Sequence, residues 1–398
     1  MSNDIRHGLK IRHSPDETAR QHFAMGMRSY VLNDLANGMR KVYDHKVEPN
    51  FRRKHSRTPA DGPEVHKAMK PDTIFKFYSS LRVNTQESVW RSVMPAVERN
   101  AEELRRHAQV LSQSTESAQG TLAIDTNFEV PKYVADLDVH LVPGGYHTEY
   151  MENDVSQGAI MDNGKSVFTM GLTGEEGDDI TMSVATYLSH RYPTFKPKKI
   201  LDMGCTTGSS TLPWAKIFPE AEVHGIDVAA PMLRYGHARA QLKGITTHFH
   251  QMNCETPDFE DESFDLVYSC MLLHELPKNT IHNTFQQARR MLKPEGLMLH
   301  YELPPNNIVE PYDSFYLDWD AYYNKEPFYK AFRDTDPSEE CEEAGFGADK
   351  TFQFVTPSLH SYGEETISKA AKNQSKDANE RVGRLVNGVQ WFCFGAWK

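Results

Sequence analysis

The 398 residues carry 44 Lys and Arg against 55 Asp and Glu, a formal net charge of -11, and 39% are hydrophobic. No stretch approaches the roughly 18 consecutive apolar residues of a membrane-spanning helix, and Met1–His7 lacks the apolar run of a secretory leader. The five cysteines are scattered without a C-x-x-C pair, which excludes a disulfide framework and a recognisable zinc site. These features predict a soluble protein of the reducing cytoplasm, without metal or membrane association.

Charge is distributed unevenly along the chain. Residues 1–110 carry 20 Lys and Arg against 13 Asp and Glu, a net +7, which leaves -18 in the rest of the chain. An acidic surface repels phosphate backbones, so nucleic acid is not an expected partner. The basic run Arg52–Arg57 lies among prolines and a glycine, which predicts a solvated loop, with a phosphate contact as the alternative.

The first 110 residues are predicted to be helical. The segment Ser14–Glu17 has the pattern of a helix N-cap followed by proline and acids, and a second helical region is predicted from Asp72 to Leu111. The apolar residues behind the first cap recur at spacings of three and four, which predicts one buried helix face made of Phe23, Met27, Tyr30, Val31 and Leu35. Residues 121–170 contain Gly and Pro at short intervals, which predicts short strands or irregular pieces.

The second half of the chain alternates short apolar runs with helical segments. Strands are predicted at Lys199–Met203, Glu222–Asp227, 246–250, Phe264–Ser269 and Gly296–Tyr301, with helices at 211–218, 231–243 and 280–292, and with a further aromatic strand at Gln390–Ala396. Strands separated by helices indicate βαβ units, and therefore a parallel sheet with helices on both faces. The change of pattern predicts two domains, residues 1–190 and residues 191–398.

A glycine turn, Asp202–Gly208, joins the first of these strands to a helix. Its pattern, D-x-G-x-T-x-G, places an acid two residues before the first glycine, which disfavours a pyrophosphate and suits a ligand with hydroxyl or ammonium groups. Asp227 ends the next strand, where a carboxylate reaches the hydroxyls of a bound ribose. On these residues alone, an ordinary turn and a helix N-cap are the alternative interpretation.

Three further segments follow in order, Asn253–Glu255, Phe259–Ser269 and Met291–Leu299. With them, residues 198–302 resemble a class I S-adenosylmethionine-dependent methyltransferase, similar to the ubiquinone and menaquinone type. The resemblance implies a Rossmann-like α/β fold with a seven-stranded, mostly parallel sheet, in which Gln390–Ala396 is the antiparallel strand. It does not extend to residues 1–190, a mainly helical region expected to supply a lid, a substrate pocket or a homodimer interface.

The resemblance also implies S-adenosyl-L-methionine as the cofactor. The residues expected to contact it are Asp202, Gly204, Cys205, Thr206, Gly208, Asp227, Val228, Met232, Asn253, Cys254 and Met271. Two positions depart from the family pattern, since Thr206 replaces its middle glycine and Asn253 replaces an aspartate. Both side chains can still form hydrogen bonds, so cofactor binding is expected to survive.

Methyl transfer requires a nucleophile aligned with the methyl carbon, and a weakly acidic nucleophile must also lose a proton. His274 and Glu302 are candidate bases, because they follow the fourth and fifth strands at the sheet edge where open α/β sheets bind ligands. A supporting role is the alternative for His274. His147, beside Tyr146 in a glycine-containing turn, is a third catalytic candidate if that turn closes over the cofactor; a surface turn is the alternative.

Residues 311–332 are rich in aromatic side chains. Tyr316, Trp319 and Tyr323, together with Tyr146, are predicted to bind an apolar or cationic small-molecule acceptor, with packing against the N-terminal half as the alternative for half of the stripe. The predicted function is S-adenosylmethionine-dependent methyl transfer to a small molecule in the cytoplasm. A methyltransferase acting on protein or nucleic acid and a catalytically silent cofactor-binding scaffold are the alternatives.

Overall fold

A computed structural model describes residues 9, 11–113, 120–372 and 388–398, so Met1–His7, from which the absence of a leader was predicted, lies outside the described residues. A mixed sheet forms the centre of the molecule. Its strands are β1 (Leu122–Ala123), β2 (Lys199–Met203), β3 (Glu222–Asp227), β4 (His248–Gln251), β5 (Phe264–Cys270), β6 (Leu292–Glu302), β7 (Thr351–Pro357) and β8 (Gln390–Trp397). Their order across the sheet is β1-β4-β3-β2-β5-β6-β8-β7.

The predicted Rossmann-like fold is confirmed. Strands β1 to β6 are paired in parallel, and β8 runs antiparallel to both β6 and β7, as predicted for the 390–396 segment. The sheet has eight strands rather than seven because the two-residue strand β1 adds to the edge of β4. Strand β2 is buried on both faces, since helices cover both sides of the parallel sheet.

Fifteen α-helices are present in the described ranges. They are α1 (Pro15–Tyr30), α2 (Ala36–Val42), α3 (Glu48–His55), α4 (Gly62–Met69), α5 (Thr73–Gln113), α6 (Lys132–Ala135), α7 (Ser156–Phe168), α8 (Asp179–Arg191), α9 (Leu212–Ile217), α10 (Ala230–Leu242), α11 (Lys278–Met291), α12 (Pro311–Tyr323), α13 (Tyr329–Arg333), α14 (Pro337–Glu343) and α15 (Leu359–Lys372). Within these ranges, none of the helices combines the length and the low polarity that crossing a bilayer demands.

Helix α1 begins where the sequence predicts; Val31 and Leu35, at the end of the predicted face, are buried, but the part of that face within α1 is not. The Glu17 N–H donates to Ser14 Oγ, and the Ser14 N–H donates to Glu17 Oε2, so the cap is reciprocal. Phe23 is 69% exposed, whereas Ala24 and Arg28 are buried. The apolar spacing misled because the charged side chain of Arg28 takes an interior position, where it donates to a backbone carbonyl.

The predicted loop at Arg52–Arg57 is largely helical. Helix α3 continues to His55, and the Arg52 side chain pairs with Glu48 one turn earlier, at 2.8 Å. Arg57 pairs with Glu64 at 2.6 Å. The two arginines at the ends of the basic run are therefore engaged with carboxylates.

Helix α7 lies in a segment predicted to be irregular. Its glycines lower helix propensity, but they allow close packing: a Cβ on Gly164 would come within 2.8 Å of the Trp90 ring on α5. On its other side α7 packs against α10, which follows β3. Tertiary packing thus overrides the local signal and joins the N-terminal helices to the sheet.

His300 in β6 should make stability depend on pH. Its ring is fully buried between Phe285 and Phe394, with Nδ1 2.7 Å from Ser269 Oγ, and burial lowers its pKa to about 3. Because the folded-state pKa lies below the unfolded value of about 6.5, the stabilisation is complete above that value and is lost as the pH falls. We expect this residue to reduce the free energy of unfolding by about 2 kcal/mol between pH 7 and pH 5.

Urea denaturation of the wild type and of His300→Gln at both pH values tests this expectation. The glutamine does not titrate and can still reach Ser269, so the difference between the two pH values should shrink by about 2 kcal/mol in the variant. An unchanged pH difference would contradict the assignment to His300.

Candidate functional site

A cavity of about 660 Å³ lies at the carboxyl ends of the parallel strands. Its lining comes from two regions. The sheet contributes Gly204, Thr206, Asp227, Met271 and Glu302, and the N-terminal half contributes Arg28, Trp90, His140, Tyr146 and Phe168. Residues before position 190 therefore form part of the same cavity as the glycine turn.

The glycine turn lines one end of this cavity. Gly204 has φ +70°, a backbone conformation that favours glycine, and a Cβ there would lie 2.8 Å from Leu272 Cδ1, so that side chain would have to move. Gly208 ends the turn and packs against Phe249, away from the cavity lining. The turn thus brings backbone close to the cavity at Gly204 and Thr206.

Thr206 retains the backbone conformation that glycine would favour. Its φ is +45°, and its N–H donates to Asp227 Oδ2 at 2.9 Å. A β-branched residue in this region costs about 1–2 kcal/mol relative to glycine. Threonine in place of the family's middle glycine therefore keeps the geometry of the turn, at the cost of backbone strain at Thr206.

This strain gives a measurable expectation. Thr206→Gly should raise the free energy of unfolding by about 1 kcal/mol, because glycine adopts positive φ without the Cβ clash. Thr206→Ala is the matched control, since it removes the hydroxyl and methyl but keeps the Cβ. Chemical denaturation of both variants should show the gain for glycine alone; an equal gain in both would assign the effect to the side chain.

Asp227 lies at the end of β3, facing the cavity. Its Oδ2 accepts from Thr206 N–H and its Oδ1 accepts from Ala229 N–H, each at 2.9 Å. Burial raises its pKa to about 6, against the effect of these backbone hydrogen bonds. The carboxylate is therefore held rigidly between the turn and the start of α10.

Asp202 lies directly behind the turn and is fully buried. Its Oδ2 accepts from Ser210 Oγ and Thr211 Oγ1, both at 2.7 Å, while Oδ1 has no hydrogen-bond partner among the described residues. Burial raises its pKa to about 7. Asp202 does not line the cavity, so its predicted contact with the cofactor is not formed here, and it instead holds Ser210 and Thr211 behind the turn.

The other residues predicted to bind the cofactor divide into two groups. Val228, Cys254 and Met271 line the cavity, and Met271 has φ +57°. Cys205, Met232 and Asn253 do not line it. Cys205 packs in an apolar cluster with Phe249, Met232 is buried in α10, and the Asn253 Oδ1 accepts from the Glu255 N–H at 2.9 Å.

His274 and Glu302 form a buried pair. His274 Nδ1 lies 2.6 Å from Glu302 Oε2, and Glu302 Oε1 accepts from the Leu273 N–H. Burial opposes the charge on the imidazole, but the Glu302 carboxylate prevails and raises the His274 pKa to about 9. A ring that is already protonated near neutrality cannot accept a proton, and it lies behind Glu302, which lines the cavity.

The adjacent residues Tyr146 and His147 are placed differently. The Tyr146 hydroxyl faces the cavity and donates to Glu275 Oε1 at 3.2 Å. The His147 ring is outside the cavity lining, and burial lowers its pKa. The geometry favours contact with a bound ligand for Tyr146 rather than for His147.

The predicted aromatic acceptor site is not formed by Tyr316, Trp319 and Tyr323. Trp319 donates from Nε1 to Ser79 Oγ on α5 at 2.9 Å, while Tyr316 packs against Tyr78 and Tyr323 against Trp319. The opposite face of α12 and the residues following it line the cavity, through Leu317, Asp320, Ala321 and Asn324. Helical periodicity places the two sets on different faces, so the aromatic stripe serves packing.

A charged cluster in the cavity wall was missed by the sequence analysis. His140, at φ +56°, has Nδ1 3.0 Å from Glu326 Oε1 and Nε2 3.4 Å from Glu275 Oε1. Although burial opposes protonation, these carboxylates raise the His140 pKa to about 10. The three residues are far apart in the chain, and no motif or periodicity relates them.

The His140 backbone is fixed from α5. Its carbonyl oxygen accepts from Gln86 Nε2 at 2.8 Å and from Trp90 Nε1 at 2.7 Å. Two donors on one long helix thus hold a strained residue in place at the cavity.

Comparison with known proteins finds related sequences over the sheet region. Residues 200–296 match the family described as methyltransferase domain. A malonyl-(acyl-carrier protein) O-methyltransferase of Halalkalibacterium halodurans is 31% identical over 31% of this chain and 45% of its own length. A demethylmenaquinone methyltransferase of Thermus thermophilus is 29% identical over 32% of this chain and 56% of its own length. A ribosomal RNA large subunit methyltransferase G of a Shewanella species is 38% identical over 26% of this chain and 29% of its own length. The chain spans about half or less of the length of these relatives.

Proposed function

We propose that this chain, which contains a class I S-adenosylmethionine-dependent methyltransferase domain, transfers a methyl group from that cofactor to a small-molecule acceptor. The observation that carries the proposal is the cavity shared by the glycine turn and the N-terminal half. Its volume of about 660 Å³ lies in the range of small-molecule sites, about 300–1,000 Å³.

The residues at the sheet end of the cavity fit the cofactor. The carboxylate of Asp227 is aimed into the cavity and rigidly held, as a ligand to ribose hydroxyls must be. Asp202 supports the turn from behind, through Ser210 and Thr211, and does not itself line the cavity. When bound, the cofactor supplies an electrophilic methyl carbon on a sulfonium.

The remaining task of the protein is to align an acceptor and exclude water. Trp90, Phe168 and Leu317 contribute apolar side chains to the cavity wall, and Tyr146 contributes a hydroxyl. Trp90 comes from α5 and Phe168 from α7, which supports a role for residues 1–190 in building the part of the cavity that would bind the acceptor. A location in the cytoplasm, a domain boundary near residue 190 and a homodimer remain predictions from the sequence.

The cofactor assignment is tested by binding. Asp227→Ala should weaken the binding of S-adenosylhomocysteine by at least about tenfold, roughly 1.4 kcal/mol, because the ribose hydroxyls lose a fixed acceptor. Asp258→Ala removes an exposed carboxylate from a nearby loop and serves as the control. Isothermal titration calorimetry should separate the two variants, and full affinity in Asp227→Ala would overturn the assignment.

The acceptor class is tested by transfer of label. Incubation of the protein and S-adenosylmethionine carrying a labelled methyl group with a cell extract should place label in the low-mass fraction. Label confined to protein or RNA would favour a macromolecular acceptor instead. No transfer at all, with S-adenosylhomocysteine still bound, would favour the scaffold alternative.

A further inference from the structure

We propose that the methyl acceptor is an amine with an apolar body, bound as its ammonium form against Glu275 and Glu326 in the cavity wall. The inference rests on the proposed function, because it names the substrate class of the same cavity. It goes beyond that function by assigning a charge to the acceptor and a binding role to two glutamates.

The first observation is a line of alternating acids and imidazoles along this wall. Glu302 Oε2 lies 2.6 Å from His274 Nδ1, and Glu326 Oε1 lies 3.0 Å from His140 Nδ1. His140 Nε2 lies 3.4 Å from Glu275 Oε1, and His274 interacts electrostatically with Glu326. Five ionisable side chains from four separate segments thus form one cluster, the Glu–His wall.

The second observation is the charge of the Glu–His wall. The pKa of His140 is raised to about 10 and that of His274 to about 9 by the neighbouring carboxylates, against burial. Burial opposes ionisation of Glu326, but His140 nevertheless holds its pKa below the usual range. The wall contains three carboxyl groups and two imidazoles, so it holds one more acidic group than basic groups.

Three other charged side chains of the cavity, Asp320, Arg28 and Lys165, interact with groups outside the Glu–His wall. Asp320 pairs with Arg82. The Arg28 guanidinium lies 4.3 Å from the centre of the Phe168 ring and donates to the Phe168 carbonyl. Lys165 donates to Ser209 Oγ, and burial lowers its pKa. The Glu–His wall therefore keeps its own excess of acidic groups, and Asp227 adds a further carboxylate at the glycine turn.

The third observation is the apolar character of much of the cavity lining. The side chains that contribute it are Leu32, Phe168, Met170, Leu172, Leu303 and Leu317. A net charge facing such a space is costly unless a counter-ion is brought in with the ligand. A cation with an apolar body satisfies both features, whereas an anion is repelled and a neutral molecule leaves the charge uncompensated.

The chemistry of transfer is consistent with this ligand. The ammonium must first lose one proton, and Glu275, which is partly accessible in the cavity, can accept it. The freed nitrogen lone pair then forms the bond to the methyl carbon, while the electron pair of the broken carbon–sulfur bond stays on sulfur. The products are the N-methylated ammonium ion and S-adenosylhomocysteine, with the first proton held on Glu275.

Three probes with the same six-carbon tail test the charge preference. Hexylamine, hexanol and hexanoate are titrated by calorimetry into the full-length protein, with and without saturating S-adenosylhomocysteine. We expect hexylamine to bind at least about tenfold more tightly than the other two, equivalent to roughly 1.4 kcal/mol. Equal or tighter binding of hexanol or hexanoate would overturn the proposal.

Two charge-removing variants locate the effect. Glu275→Gln should abolish most of the preference for hexylamine, and Glu326→Gln provides the same charge change if the first variant does not fold. Glu103→Gln, which removes an exposed carboxylate from α5, is the matched control and should retain it. A preference that persists in the glutamine variants at both wall positions would contradict the assigned site.

The binding of S-adenosylhomocysteine separates this inference from the proposed function. If S-adenosylhomocysteine does not bind to the wild type, the proposed function fails. The titrations of the three six-carbon probes in the absence of S-adenosylhomocysteine still decide the charge preference. If Glu275→Gln changes only the ratio of affinities for S-adenosylmethionine and S-adenosylhomocysteine, the charge serves the sulfonium of the cofactor and the amine proposal is wrong.

Discussion

The contact between Trp90 and α7 is the constraint on which the N-terminal wall of the cavity depends. The Trp90 ring is buried against Gly164, where no Cβ fits, and it stacks near Phe168 at the end of the same helix. Its Nε1 donates to the carbonyl of His140. One side chain thus sets the spacing of two helices and holds the strained residue that faces Glu275 and Glu326.

The electrostatics of the cavity follow from burial. Isolated charges in such surroundings are expensive, so each acid needs either a cation or several N–H donors. Asp227 is satisfied by the backbone N–H groups of Thr206 and Ala229, whereas Glu302 uses one backbone N–H and His274. Glu275 and Glu326 instead share the imidazole of His140. Sharing one cation between two acids leaves the charge to which we assign acceptor binding.

The extent to which sequence reasoning succeeded depends on the range of the interactions involved. The strands of the βαβ units and the position of Asp227 are encoded in contiguous patterns of apolar and turn residues, so they were predicted. The face of α12 was misassigned because aromatic side chains suit a ligand box and a helix interface equally well. His140, Glu275 and Glu326 carry no local pattern, since only tertiary folding brings them together. The positive φ of Thr206 was likewise hidden by its residue type.

The family match covers only part of the residues that line the cavity. The matched residues, 200–296, include the glycine turn, Asp227 and Glu275. They exclude His140 and Glu326, which fix the charge on the Glu–His wall. Similarity within the matched segment therefore concerns mainly the sheet and the glycine turn, with Glu275 as the one member of the Glu–His wall besides His274 that it includes. In the proposed site, the wall that binds the acceptor combines Glu275 from the matched segment with His140, Glu302 and Glu326 from outside it, so the family match alone does not fix the charge of that wall.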